Sequence, residues 1–159
     1  MNGISTALLA SAFFAAAVAA FTLPSYAVGV FRVDDSASQP IEARSELRWK
    51  TLVPRGEDAN VVETNVQVNI KLDLKPWQGK RGRVYMVLPP IPAATVNVQW
   101  ATQGRLQPGR LTSGGRGLVY QGVIGNPSLE DVLNVAISGD GRRLSTPHRL
   151  QFYFEIEPE

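Results

Sequence analysis

Five Gly-Arg steps are the most distinctive chemistry-bearing pattern in the chain: Gly82-Arg83, Gly104-Arg105, Gly109-Arg110, Gly115-Arg116 and Gly141-Arg142. Glycine permits a tight turn. An arginine just after it is thrust into solvent with a fork of donors suited to phosphate, sulfate or carboxylate. Gathered at one end of a β-domain, Arg83, Arg105, Arg110, Arg116 and Arg142 would form one surface for an anionic glycan, a lipid headgroup or an acidic partner protein. The plain alternative is that turns need glycine and arginine keeps them soluble. Trp77 follows Pro76 in a turn. An exposed aromatic there suits sugar stacking or a protein interface, and its alternative role is a lid over the end of the core.

Other chemistries lack their parts. His148 is the single histidine, so no multi-histidine metal site exists, and no nucleophile–base–orienter set accompanies it. Cysteine is absent, which excludes thiol catalysis, thiolate metal sites, Fe–S clusters and disulfides. The carboxylate pairs Asp34-Asp35, Glu57-Asp58 and Glu130-Asp131 are adjacent in sequence. On a strand, adjacent side chains point to opposite faces and do not converge. No EF-hand-like spacing offers six oxygens to a hard cation. The expectation is a protein with no catalytic residues, no cofactor and no metal. Nucleic acid is a poor fit, because the net charge is only +2.

That small net charge is unevenly placed. Residues 28–75 hold seven basic and eight acidic side chains, 80–149 hold nine and three, and 150–159 hold none and three. The middle of the chain is a cationic block rich in arginine.

The elements that must position these side chains follow a leader. Residues 1–21 carry no charge, and an apolar run reaches Phe21. Pro24 and Ser25-Tyr26-Ala27 come next, with small residues where a signal peptidase reads. Residues 1–27 are therefore expected to be a secretory signal, with export to the periplasm or cell surface. The rival is a retained anchor helix, since Ile4–Leu23 is about long enough to span a bilayer. About 130 residues remain, enough for one domain with a real core.

Beyond the leader the apolar period is two nearly everywhere. Val66, Val68, Ile70, Leu72 and Leu74 alternate with polar residues, which predicts a long half-buried strand. Leu47–Val53, Val96–Trp100, Leu133–Ile137 and Leu150–Ile156 read the same way, and Val28–Val33 reads as a shorter strand. Val84–Leu88 and Leu118–Tyr120 are apolar at successive positions, as in strands covered on both faces. Ser128 looks like the cap of a helical turn running to Val132. Pro108-Gly109 suits a tight turn, and Asp140-Gly141 is a hairpin signal. Residues 52–58 read as an exposed, protease-sensitive loop. Glu155, Glu157 and Glu159 share one face of the last strand, with Arg48, Lys50, Lys71 and Lys75 as candidate cross-strand partners. Together these predict an all-β, immunoglobulin-like β-sandwich of about eight strands with Trp100 in its core; a small β-barrel is the alternative.

The layout of signal peptide, single sandwich and alternating terminal strands, without cysteine, resembles the pilin subunits that bacteria assemble through periplasmic chaperones. One difference is that Glu157-Pro158-Glu159 stands where those subunits usually carry an aromatic. The resemblance implies a structural or adhesive fimbria-like subunit with protein partners in the envelope, including copies of itself. It also implies that an extended N-terminal segment completes a neighbour's sheet, here Val28, Val30, Phe31 and Val33. The competing expectation is a monomeric periplasmic accessory or binding module that uses its arginine turns. In either case membrane contact comes only through the leader, if it is uncleaved.

Overall fold

The computed structural model describes residues 29–41, 46–53, 56, 59–92, 94–144 and 150–159. The expected leader with its expected cleavage site, Val28, Pro54, Arg55, Glu57, Asp58 and His148 lie outside the described residues. Among the described residues, ten strands form two antiparallel sheets: β1 (Phe31–Arg32), β2 (Gln39–Pro40), β3 (Arg48–Trp49), β4 (Val61–Asp73), β5 (Arg81–Val87), β6 (Val96–Thr102), β7 (Gly109–Thr112), β8 (Arg116–Val123), β9 (Ser128–Asp140) and β10 (Tyr153–Pro158). The four-stranded sheet runs β1-β10-β5-β8. The six-stranded sheet runs β2-β4-β9-β6-β7, with β3 on the other end of β4. The sheets face each other as a sandwich and do not close into a barrel.

Alternation sets the faces. β4 pairs with β9 over their whole length, from Val61↔Asp140 to Asp73↔Ser128. Val62, Ile70 and Leu72 point inward, while Glu63, Asn65, Gln67, Asn69 and Lys71 point to solvent. The core between the sheets is apolar throughout, with Leu72, Val84, Val98, Trp100, Val119, Leu133, Phe154 and Ile156 buried. Trp100 is buried in it, its ring against Gly109 of β7 and Gly117 of β8, and its indole N–H donates to the Gln107 carbonyl at 2.8 Å. This satisfies the ring's only polar atom in an apolar surround.

Several local expectations are corrected. Ser128–Val132 is not helical but opens β9. Leu129, Leu133, Val135 and Ile137 are buried on one face of that strand, and Leu129 lies opposite Leu72, so pairing with β4 prevails over the local cap signal. Leu47–Val53 shrinks to the two residues of β3, which reach only Val62 and Glu63 at one end of β4; Leu47, Trp49, Leu52 and Val53 are exposed. The last strand starts at Tyr153 rather than Leu150. The Asp140-Gly141 turn forms, with the Arg142 N–H donating to Asp140 Oδ1 at 3.0 Å, but it leads out of one sheet and makes no β9–β10 hairpin. Gly109 is not a turn residue but the first residue of β7, where an added Cβ would lie 2.5 Å from the Trp100 ring.

β5 and β8 are not covered on both faces by other elements. Val84, Met86, Leu88 and Val119 face the core, and Tyr120, opposite Val84, packs against it, whereas Tyr85 is half-buried on the outside. On that outer face the Arg116 guanidinium covers Tyr85, 4.3 Å from its ring centroid; the Tyr120 hydroxyl donates to the Val123 backbone carbonyl at 2.7 Å.

The N-terminal stretch straps the two layers together. β1 pairs with β10 at Phe31↔Ile156 and Arg32↔Glu155. The Val33 N–H donates to the Phe154 carbonyl at 2.9 Å, and the Val33 side chain is 1% exposed. The chain then crosses over, because Asp34 bridges to Asp73 and β2 joins β4.

Candidate functional site

The outward face of the four-stranded sheet gathers the densest set of interacting polar side chains among the described residues. Alternation places Arg83 and Tyr85 on the outside of β5, Glu155 and Glu157 on the outside of β10, and Arg116 at the start of β8. Register brings them together: Glu157 lies opposite Arg83, Glu155 opposite Tyr85, and Val87 opposite Arg116. Arg116 Nη1 donates to Glu157 Oε1 at 2.7 Å. Arg83 Nη2 lies 3.9 Å from Glu157 Oε2, and its Nε lies 3.3 Å from Glu159 Oε1. Arg81 adds a contact to Glu159 at 3.5 Å. On the β1 side, the Arg32 guanidinium lies 4.4 Å from the Tyr153 ring centroid.

The electrostatics follow from that packing. The hydrogen bond from Arg116 holds the Glu157 carboxyl below its ordinary value against the opposing effect of desolvation; a hydrogen bond from Tyr85 and the charges of Arg116 and Arg83 add to the lowering. Arg116 is raised in turn, chiefly by the same hydrogen bond. The cations opposite the C-terminal glutamates are thus Arg81, Arg83 and Arg116, not Arg48, Lys50, Lys71 or Lys75, because β10 inserts between β1 and β5.

The five Gly-Arg arginines do not form one surface. Arg83 and Arg116 sit on strands and are ion-paired. Arg142 is clamped by Asp140, with Nε and Nη2 donating to its carboxylate at 3.1 and 2.9 Å. That clamp lowers the Asp140 carboxyl, mainly through the side-chain hydrogen bond from Arg142. Arg110 is exposed on β7 opposite Gln99. Arg105 is exposed in the β6–β7 connection, next to Leu106, whose N–H donates to Asp131 Oδ2 at 2.8 Å. Asp131 and Asp140 lie nine residues apart on β9, so Arg105 and Arg142 are roughly 30 Å from one another. The arginines are spread over both sheets because their glycines lie on different strands and connections, Gly82 within the inner strand β5 and Gly109 on the edge strand β7.

Trp77 ends a 3-10 turn (Lys75–Trp77) and packs against the core as a half-buried lid. Its ring centroid lies 6.1 Å from that of Phe31, so it meets the N-terminal strand rather than open solvent. Of the expected strand-exchange residues, Val30 and Phe31 are 51% and 48% exposed, and Val33 is the single buried anchor. Arg32, Tyr85, Tyr153 and Glu157 were not legible as a cluster from motifs; the usable signal was alternation, which puts every second residue of β5 and β10 on one face. Among the described residues, no group of three or more His, Asp or Glu is arranged to hold a metal ion.

No family model matches the chain, and no curated protein or solved structure matches it.

Proposed function

We propose that the protein is a non-catalytic, exported β-sandwich subunit of a fimbria-like surface assembly, joined to its neighbours through its N-terminal strap. The observation that carries this reading is the light attachment of β1. Two residue pairs and one buried valine hold it to β10, while Val30 and Phe31 remain exposed. The leader places this strap directly after the expected cleavage point at Ala27. A strand with few native pairs and exposed apolar side chains is suited to pairing with a second chain. An equivalent β1 from a neighbour would offer β10 the same backbone donors, the same valine anchor and the same Arg32 over Tyr153. By contrast, an anionic-ligand site built from the five arginines has weak support, because three of them are already paired with carboxylates.

The absence of cysteine gives a clean test. Arg32 and Glu155 are direct partners on the outward face, and the Cα spacing of such pairs, about 4.5–5.5 Å, suits a disulfide. In an Arg32→Cys/Glu155→Cys variant, strand exchange yields a ladder of crosslinked multimers on oxidation. A Val33→Asp substitution in that background should abolish the ladder. Crosslinking confined to single chains at every concentration would overturn the assembly reading and leave a monomeric envelope module.

A further inference from the structure

The opposite face of the molecule has a different chemistry. On the outside of the six-stranded sheet, β9 presents short side chains, Ala136 and Ser138, between longer polar side chains on its two neighbours, three amides and, across from Ser138 on β4, the carboxylate of Glu63. Ala136 lies opposite Asn65 on β4 and Gln99 on β6, and Ser138 lies opposite Asn97. The result is a trough along β9. Its central depression, over Ala136, has a volume of ≈ 570 Å³ and continues past Asn97 and Ser138 into a second of ≈ 450 Å³. A third, ≈ 530 Å³, lies beyond Gln67 and Asn134, whose side chains hydrogen-bond to each other at 2.7 Å across the trough.

We infer that this trough binds a neutral, polyhydroxylated chain, that is, an uncharged glycan. Three features select that chemistry. The charges lining the three depressions cancel, with four cationic and four anionic side chains, two pairs of which neutralise each other directly as Lys71–Glu130 and Arg142–Asp140. The lining as a whole carries no net charge to draw a ligand of either sign. The floor is the centre of a sheet: β9 is hydrogen-bonded to β4 on one side and β6 on the other, so no backbone edge is open for strand addition. Between the charges Glu63 and Arg110, the central depression offers the exposed amides of Asn97 and Gln99 and the hydroxyls of Ser138 and Thr112. Each of these groups both donates and accepts, as does a sugar hydroxyl. The outward positions of β4, β6, β7 and β9 include no aromatic and few apolar residues, so an apolar peptide finds little to bury there.

The test uses the full chain as cells process it, labelled with ¹⁵N. It is titrated with maltohexaose, cellohexaose, mannohexaose and chitohexaose, and with a heparin hexasaccharide as the anionic control. At least one neutral probe should shift the side-chain amide signals of Asn97 and Gln99. The affinity should persist at about 0.5 M salt, where screening is nearly complete beyond a few ångströms. It should fall roughly tenfold or more in an Asn97→Ala/Gln99→Ala variant that keeps its far-ultraviolet spectrum. The inference fails if no neutral probe moves those signals, if only heparin does so, or if they move with protein concentration alone, which would assign the face to a second copy of the chain. None of these outcomes depends on whether the N-terminal strap exchanges.

Discussion

Gly117→Ala is the sharpest test of how the core is built. The six-membered edge of the Trp100 indole sits in a slot between Gly109 on β7 and Gly117 on β8. A Cβ on Gly117 would lie 2.5 Å from Trp100 Cη2, and one on Gly109 would lie 2.5 Å from Cζ2. The ring has no easy retreat, because its N–H is tied to the Gln107 carbonyl at 2.8 Å, and movement would leave that buried donor unpaired. Overpacking of this kind costs about 1–3 kcal/mol. The lower backbone entropy of alanine offsets roughly 0.5–1 kcal/mol, so Gly117→Ala should destabilise the protein by about 1–2 kcal/mol. Trp100→Leu alone should cost about 2–4 kcal/mol through lost contacts and a cavity. In the double variant the added methyl fills part of that cavity, so Gly117→Ala should then cost nothing or stabilise slightly. The four proteins form a double-mutant cycle, read by urea unfolding with far-ultraviolet circular dichroism, which does not depend on Trp100 fluorescence. If Gly117→Ala costs as much in the Trp100→Leu background as in the wild type, the two-glycine slot is not what positions the indole.

Other expectations are tested similarly. Glu157 has a lowered folded-state pKa, so its pairing contributes stability above the unfolded carboxyl value and loses it as pH falls through the folded value. Thermal unfolding of Glu157→Gln should therefore be less acid-sensitive below about pH 4.5 than that of the wild type, and parallel pH profiles would count against the network. Asp131→Ala removes the acceptor of the Leu106 N–H and should cost about 1–3 kcal/mol in urea unfolding, with Asp131→Asn milder; equal costs for both would mean that charge, not the hydrogen bond, matters there. Val33→Ala should destabilise by about 1–2 kcal/mol through a lost buried contact, whereas Val30→Ala at an exposed position should change little.

Strand existence was most legible where strict alternation met a buried apolar face. β4, β6 and the core of β9 lie where the apolar period placed them, because a one-residue slip would turn each apolar set to solvent. Boundaries and partners were less legible for identifiable reasons. Ser128 to Val132 carries a sound local cap pattern, and only the register with β4, set by residues more than fifty positions away, makes it a strand. Trp49 alternates with charged residues like any strand residue, yet β3 finds a partner only at the end of β4. A repeat of period two shows which side chains share a face but not what lies opposite that face.

The same limit explains the arginines. In sequence they form a cationic block followed by an acidic tail, which reads as two separate surfaces. In the fold β10 is laid beside β5, and the glutamates of the tail meet Arg81, Arg83 and Arg116 of the block. Charges segregated along the chain become cancelled across the sheet. The asymmetry that suggested an anionic ligand is thus partly neutralised on the outer face of the sheet, where the pairs set the last strand against its neighbour and hold Tyr85 under Arg116. Ion pairs lock β10, β5 and β8 to one another, and the lightly held member of the four-stranded sheet is β1. An exchange reaction confined to that edge would leave the remaining pairs intact, so assembly would need only the strap to open, not the sandwich.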